Sequence, residues 1–394
     1  MIEARVAAPQ TDKDRATVSR FIQLAVRGLV PMFDQQRQLF CYRLKKTDQG
    51  MVQQGISQRY TMMTLMGLHR LTQAGAASPF ETKPILEALL SDLSWVDNIG
   101  DLGVILWLCG VVCPERLAQL EFRLGLSDAL TQYRSARQGV TMELAWFLTG
   151  LSYWVQAYPK KRTQLEPIAF ETYKRMTKNQ GERGFFGHQS TTGSIAGMAR
   201  GRTGSFADQV YPIYAMAQFS KAYQHDESAQ RALKCALGIC AEQGALGQWW
   251  WHYDAPGGRV ADGYPVFSVH QHAMGPMTLF GLGEVINHNF DEWIYKGLRW
   301  VNSNNELRYD MEDPSNDVIW RCIFRSRRSV GRYVKAAFGH YSDAVKQENR
   351  EDLKILFECR PYELGWLLYA FANRVGRDRN VAAPASQTQL AGKN

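Results

Sequence analysis

The sequence predicts an all-α chain built as an (α/α)6 or (α/α)7 toroid of helical hairpins, with short β-hairpins on one rim. Three observations predict it. Polar and apolar helices alternate along the chain, the connections between them alternate between short and long, and Gly-plus-aromatic segments recur inside the long ones.

The polar, amphipathic helices are expected near 16–30, 82–94, 115–131, 163–178, 226–241, 290–302 and 331–347. Each is followed by a more apolar, small-residue-rich helix, near 57–70, 101–112, 139–156, 208–222, 265–284, 316–327 and 360–373. A helix that is apolar nearly all round has to be surrounded by protein. The second set therefore forms an inner ring and the first an outer one. Inner-to-outer connections are short, as at Ala157 to Arg162 and Tyr223 to Asp226, whereas Pro31 to Ile56, Asn179 to Ala207 and Glu242 to Tyr264 are long. Alternation puts every long loop on the same rim, together with the N-termini of the inner helices. Binding residues concentrate on such loops, and helix N-termini favour anions.

Composition bounds the rest. The 394 residues contain no linker-like run between 15 and 374, so one domain is expected there, with an N-terminal extension at 1–14 and a disordered tail at 375–394. Hydrophobic residues make up 45% of the chain, enough for a large core. No run of about 18 apolar residues exists, and the N-terminus lacks a signal-peptide pattern. No transmembrane segment and a cytoplasmic location are expected. The seven cysteines lack CxxC spacing and read as reduced core thiols. The net charge of +8 is spread along the chain, apart from Arg321, Arg325, Arg327, Arg328 and Arg332. That cluster is either a solvated helix face or an anion-binding patch. No nucleic-acid motif accompanies it. GxSxG, P-loop and dinucleotide fingerprints are also absent.

Within the long loops, Gly247-Gln248-Trp249-Trp250-Trp251-His252-Tyr253-Asp254-Ala255-Pro256-Gly257-Gly258 reads as a β-hairpin turning at Pro-Gly-Gly. Three successive tryptophans cannot all face one core, so at least one of Trp249, Trp250 and Trp251 should meet the central cavity or solvent. There, with Tyr253, it would suit a sugar ring or an isoprenoid. The plainer alternative is a hairpin wedged into the core by its own aromatics. An earlier segment, Gly184-Phe185-Phe186-Gly187, precedes Ala207-Asp208-Gln209-Val210-Tyr211-Pro212 much as this one precedes Ala261-Asp262-Gly263-Tyr264-Pro265, with each proline in a helix's first turn.

His270 and His272 follow the hairpin. Two residues apart on a helix, they point about 200° apart and cannot chelate one metal. No metal or other cofactor is expected. One histidine should face the cavity, as an acid or base or as a structural hydrogen-bonding group. Arg59, Asp208, Tyr211, Arg321, Arg360 and Glu363 fall in first turns of inner helices, as do Asp101 and Asp317, which read first as caps. Arg360 and Glu363 could pair with each other at i, i+3. Asp208 with Glu363 or Asp262 could supply the carboxylate pair of a glycosidase.

The alternating helices and Gly-aromatic hairpins resemble the α/α-toroid group, which includes six-hairpin glycosidases, sugar epimerases, polysaccharide lyases and terpenoid cyclases. Trp250, His252, Tyr253 and Asp254 followed by Tyr264 and His270 are similar to a segment of the helical domain of glucuronyl C5-epimerases. That resemblance implies proton abstraction beside a uronate carboxylate, with Tyr264 and His270 as acid and base and Arg321 or Arg360 on the carboxylate. The tryptophan run also resembles the Gln-and-Trp motifs of squalene-type cyclases. Their DxDD is not reproduced by Asp310-Met311-Glu312-Asp313. The leading expectation is an enzyme acting on a uronate-containing saccharide by lyase, epimerase or hydrolase chemistry. A terpenoid-cyclase-like enzyme and a non-catalytic glycan- or protein-binding toroid are the alternatives.

Overall fold

A computed structural model describes residues 11–190, 195–326 and 350–374. The helix expected at 331–347, the residues Arg327, Arg328 and Arg332, and the tail at 375–394 lie outside them.

Among the described residues, twelve of the helices pair as six hairpins. Outer helices α1 (Asp12–Leu29), α3 (Thr82–Ser91), α5 (Leu117–Arg123), α7 (Arg162–Thr177), α9 (Asp226–Ala241) and α11 (Asp291–Val301) alternate with inner ones. The inner helices are α2 (Gln58–Gln73), α4 (Ile99–Val112), α6 (Thr141–Ala157), α8 (Ala207–Tyr223), α10 (Gly275–Ile286) and α12 (Pro361–Phe371). Local chemistry sets several starts. Ser57 Oγ accepts from the Tyr60 N–H at 3.2 Å and Asn98 Oδ1 from the Asp101 N–H at 2.9 Å, each satisfying a donor that the first helical turn leaves open. The outer helix expected at 115–131 is broken, because Gly125 adopts φ 56° and a new short helix begins beyond it.

Inner helices pack in the order α2, α4, α6, α8, α10, α12, and α12 returns to α2, so the ring is closed. Each outer helix packs on the inner helix before it, with α1 on α12. Close approach at the closing seam depends on Gly67 and Gly365: a Cβ on Gly67 would lie 2.1 Å from the Gly365 carbonyl oxygen. The axis is filled by Trp107, which stacks at 5.1 Å on both Tyr214 and Trp366. Among the described residues, no helix is long and apolar enough to cross a membrane. All seven cysteines are buried and unpaired.

The long loops carry the strands, all at the end of the ring where the inner helices begin. β1 (Leu39–Thr47) and β2 (Gly50–Ile56) form a hairpin. A second sheet joins β3 (Thr203–Ser205), β4 (His252–Asp254) and β5 (Arg259–Asp262), and a third joins β6 (Val266–Phe267), β7 (Cys322–Arg325) and β8 (Leu353–Leu356). β9 (Glu358–Cys359) pairs with β1, tying the last long loop to the first.

Two expectations are corrected here. Residues 316–327 do not form a seventh inner helix: Val318–Ile319 and β7 are strands. Val318, Ile319, Trp320, Ile323 and Phe324 are β-branched or aromatic, and pairing of the loops supplied the partner strands that such residues suit. The inner helix expected to start at 265 starts later. Pro265 follows a cis bond ahead of β6, and the helical turn at His270–Met274 is of π type, leading into α10. Pro212 likewise sits past the first turn, inside α8.

Candidate active site

The inner helices open at the strand-bearing end onto a cavity of about 210 Å³. Its wall is largely apolar and aromatic, with Trp146, Tyr211, Trp251 and Phe267 contributing rings. Two guanidinium groups line the same space. Arg59 lies 5.4 Å from the Trp146 ring centre, and Arg321 lies 4.9 Å from that of Phe267, so each cation sits over an aromatic face.

Both arginines are held by carboxylates behind them. Arg59 reaches Asp101 at 2.6 Å, and burial raises the Asp101 pKa to about 6 against the pull of Arg59. Arg321 pairs with Glu363 and, at 3.1 Å, with Glu358. Arg360 does not form the expected side-chain pair with Glu363. Its backbone N–H donates to Glu363, while its guanidinium turns to Glu358 at 2.9 Å and to the Tyr60 hydroxyl at 3.0 Å. Glu363 is thereby occupied by two arginines, and Asp262 by Arg325 at 2.8 Å. Neither is placed as the free partner that a carboxylate pair with Asp208 would need.

The aromatic hairpin divides between core and cavity. Trp251 lines the cavity, whereas Trp249, Trp250 and Tyr253 are buried. Trp250 Nε1 donates to the Glu242 carbonyl oxygen at 2.9 Å, and Tyr253 stacks on Phe185. Tyr264 is not at the cavity: its hydroxyl donates to Glu306 at 2.8 Å and its ring lies near Trp250. The structure therefore does not bring it together with His270, whose ring packs among Phe206, Trp251 and Phe267. His270 lines the cavity and His272 does not. Burial lowers both imidazoles to about 3, so both are neutral near pH 7. The tyrosines at the cavity are shifted the other way: burial raises Tyr60, Tyr211 and Tyr362, which keeps their protons on.

Beside the cavity, next to Ala207, is a pair that sequence reasoning found only in part. Asp208 is 1% exposed. Its Oδ2 accepts from the Ser205 N–H and Oγ at 2.8 Å each and lies 3.2 Å from His188 Nδ1, while its Oδ1 has no partner among the described residues. The hydrogen bond to Asp208 raises the His188 pKa, although Arg200 contacts Nε2 at 3.0 Å and opposes the shift. A signal for His188 existed. It follows Gly184-Phe185-Phe186-Gly187 as His252 follows the tryptophan run, and each histidine precedes the Asp of its repeat.

No family model matches the sequence, and no curated protein matches it. Solved structures do. A possible member of the GH105 family from Salmonella enterica aligns over 94% of this chain and 96% of its own, at 12% identity and a TM-score of 0.58. A protein of glycosyl hydrolase family 88 from Bacteroides vulgatus covers 92% of this chain and 99% of its own, at 11% identity and a TM-score of 0.56. An unsaturated glucuronyl hydrolase from Bacillus sp. GL1 covers 91% and 95%, at 12% identity and a TM-score of 0.54. What this likeness shows is the fold: the chain is an α/α toroid of the six-hairpin kind.

Proposed function

We propose that this chain is a glycoside hydrolase acting on a uronate-containing saccharide at the strand-bearing end of the ring. The observation that carries the reading is the pairing of Arg59 and Arg321 in one aromatic-walled cavity. Guanidinium forks match a carboxylate, and flat rings match a pyranose face. Solved structures that share the fold include a glycosyl hydrolase and an unsaturated glucuronyl hydrolase, in agreement with it.

Among the three chemistries the sequence left open, electrostatics favour hydrolysis. Lyase and epimerase reactions begin with removal of a proton beside the carboxylate. The tyrosines at the cavity hold their protons, and His270, lowered to about 3, is a weak base. The His188–Asp208 pair has the opposite character. Asp208 favours a protonated His188, which suits donation of a proton to a glycosidic oxygen as its bond to the anomeric carbon breaks and water attacks that carbon, losing its proton to solvent. Asp208 orients the ring and would stabilise its charge. A terpenoid-cyclase reading calls for a mostly apolar cavity, and the Arg59, Arg321, His270 and tyrosine side chains in its wall count against it.

Uronate-ended oligosaccharides incubated with the wild type, His188→Ala and His270→Ala test the proposal. Release of free sugar by the wild type and its loss in His188→Ala is the expected result. Equal rates in His270→Ala and the wild type would leave His270 a wall residue. Product carrying a new conjugated double bond would mean elimination and would overturn the hydrolytic reading.

A further inference from the structure

At the other end of the ring, the last turns of the inner helices enclose a second cavity of about 210 Å³. A cavity of ~150 Å³ already admits a benzene ring, but this one is polar. Arg70 from α2, Lys221 from α8 and Arg374 beyond α12 line it with Glu284, Gln156 and Gln218. Three cations thus face one carboxylate.

Arg374 pairs with Glu284, whose charge reaches Arg70 only at longer range. Arg70 has no carboxylate partner among the described residues. Its Nη1 donates to the Tyr369 carbonyl oxygen at 2.9 Å, and its guanidinium lies 3.7 Å from the Tyr369 ring centre. Lys221 makes no ion pair among the described residues. Helix C-termini attract cations, which accounts for basic residues at this end. It does not account for Gln218. That side chain is only 7% exposed and its Oε1 accepts from Gln156 at 3.2 Å, yet its own N–H groups meet no protein acceptor among the described residues. These donors are open to the cavity, where a ligand or water can take them.

We propose that this cavity binds a small, doubly charged oxyanion, a phosphate or a short dicarboxylate, held by Arg70 and Lys221 with Gln218 donating to it. These two cations balance its charge, and the arginine fork and amide give it directional donors. The site is separate from the proposed hydrolytic one and does not rest on it.

Calorimetric titration of the full chain with inorganic phosphate, and separately with succinate, at ionic strength fixed with chloride, tests this. Saturable binding of at least one anion is expected, weakened about tenfold in Lys221→Met by loss of one charged contact. Lys221 is exposed, so that variant should melt as the wild type does. Arg37→Met, at an exposed residue that lines neither cavity, should bind as the wild type. Binding of phosphate alone or succinate alone would identify which anion the site takes. No saturable binding of either, unchanged affinity in Lys221→Met, or loss of binding in Arg37→Met would each overturn the proposal.

Discussion

His188 Nδ1 lies 3.2 Å from Asp208 Oδ2, and the contact raises the imidazole pKa above its ordinary 6.5. A group whose folded pKa is raised stabilises the fold fully below its unfolded value and loses that contribution as pH rises through the folded one. Asp208→Asn should therefore flatten the dependence of Tm on pH from 6.5 upward, read by thermal melts across that window. Under the proposed function it should also lower kcat/KM by about a hundredfold to ten-thousandfold and move the alkaline limb of the rate profile to lower pH. An unchanged limb would separate Asp208 from the titration of His188.

Asp101 makes a second prediction of the same sign at lower pH. Burial raises it from 3.8 to about 6, so the native state binds an extra proton in that interval and stability falls as pH rises across it. Protonation also leaves Arg59 without a countercharge. Affinity for an anionic saccharide should tighten as pH falls through about 6, and Asp101→Asn should make it tight and nearly independent of pH there. KM measured against pH in both proteins checks this.

The tryptophans of the hairpin should separate folding from binding. Trp249 is fully buried, and Trp249→Ala should cost about 3–5 kcal/mol of stability by urea unfolding. Trp251 lines the cavity. Trp251→Ala should stay within about 1 kcal/mol of the wild type while raising KM about tenfold.

At the closing seam, Gly67→Ala should cost about 1–3 kcal/mol, because its new methyl group meets the Gly365 backbone and not a side chain that can move aside. A variant as stable as the wild type in urea would show that α2 and α12 can part at little cost.

The ring was legible because it rests on periodicity and loop length, which local sequence carries directly. Apolar character around nearly the whole of α4, for instance, has few structural solutions. The stretch at 316–327 was misread because a short run of apolar residues suits either a buried helix or a strand, and the choice fell to β6 and β8, distant in sequence. The candidate site was legible only as a neighbourhood. Which of His270 and His272 meets the cavity depends on a π turn that no regular spacing announces. His188 was missed for a different reason. Its partner lies 20 residues away, beyond the reach of any helical or strand register.

Trp107, clasped between Tyr214 and Trp366, carries a last consequence. Tyr211 bonds Trp366 Nε1 from the upper side, and Tyr214 bonds Tyr153 on the lower, so the aromatic layer insulates one recess from the other. Among the described residues, the two recesses lie back to back across this layer. Under the proposed function, whatever enters at the strands must leave by the same mouth. On that reading, such a recess would take the terminus of a glycan and favour trimming of chain ends, one unit at a time.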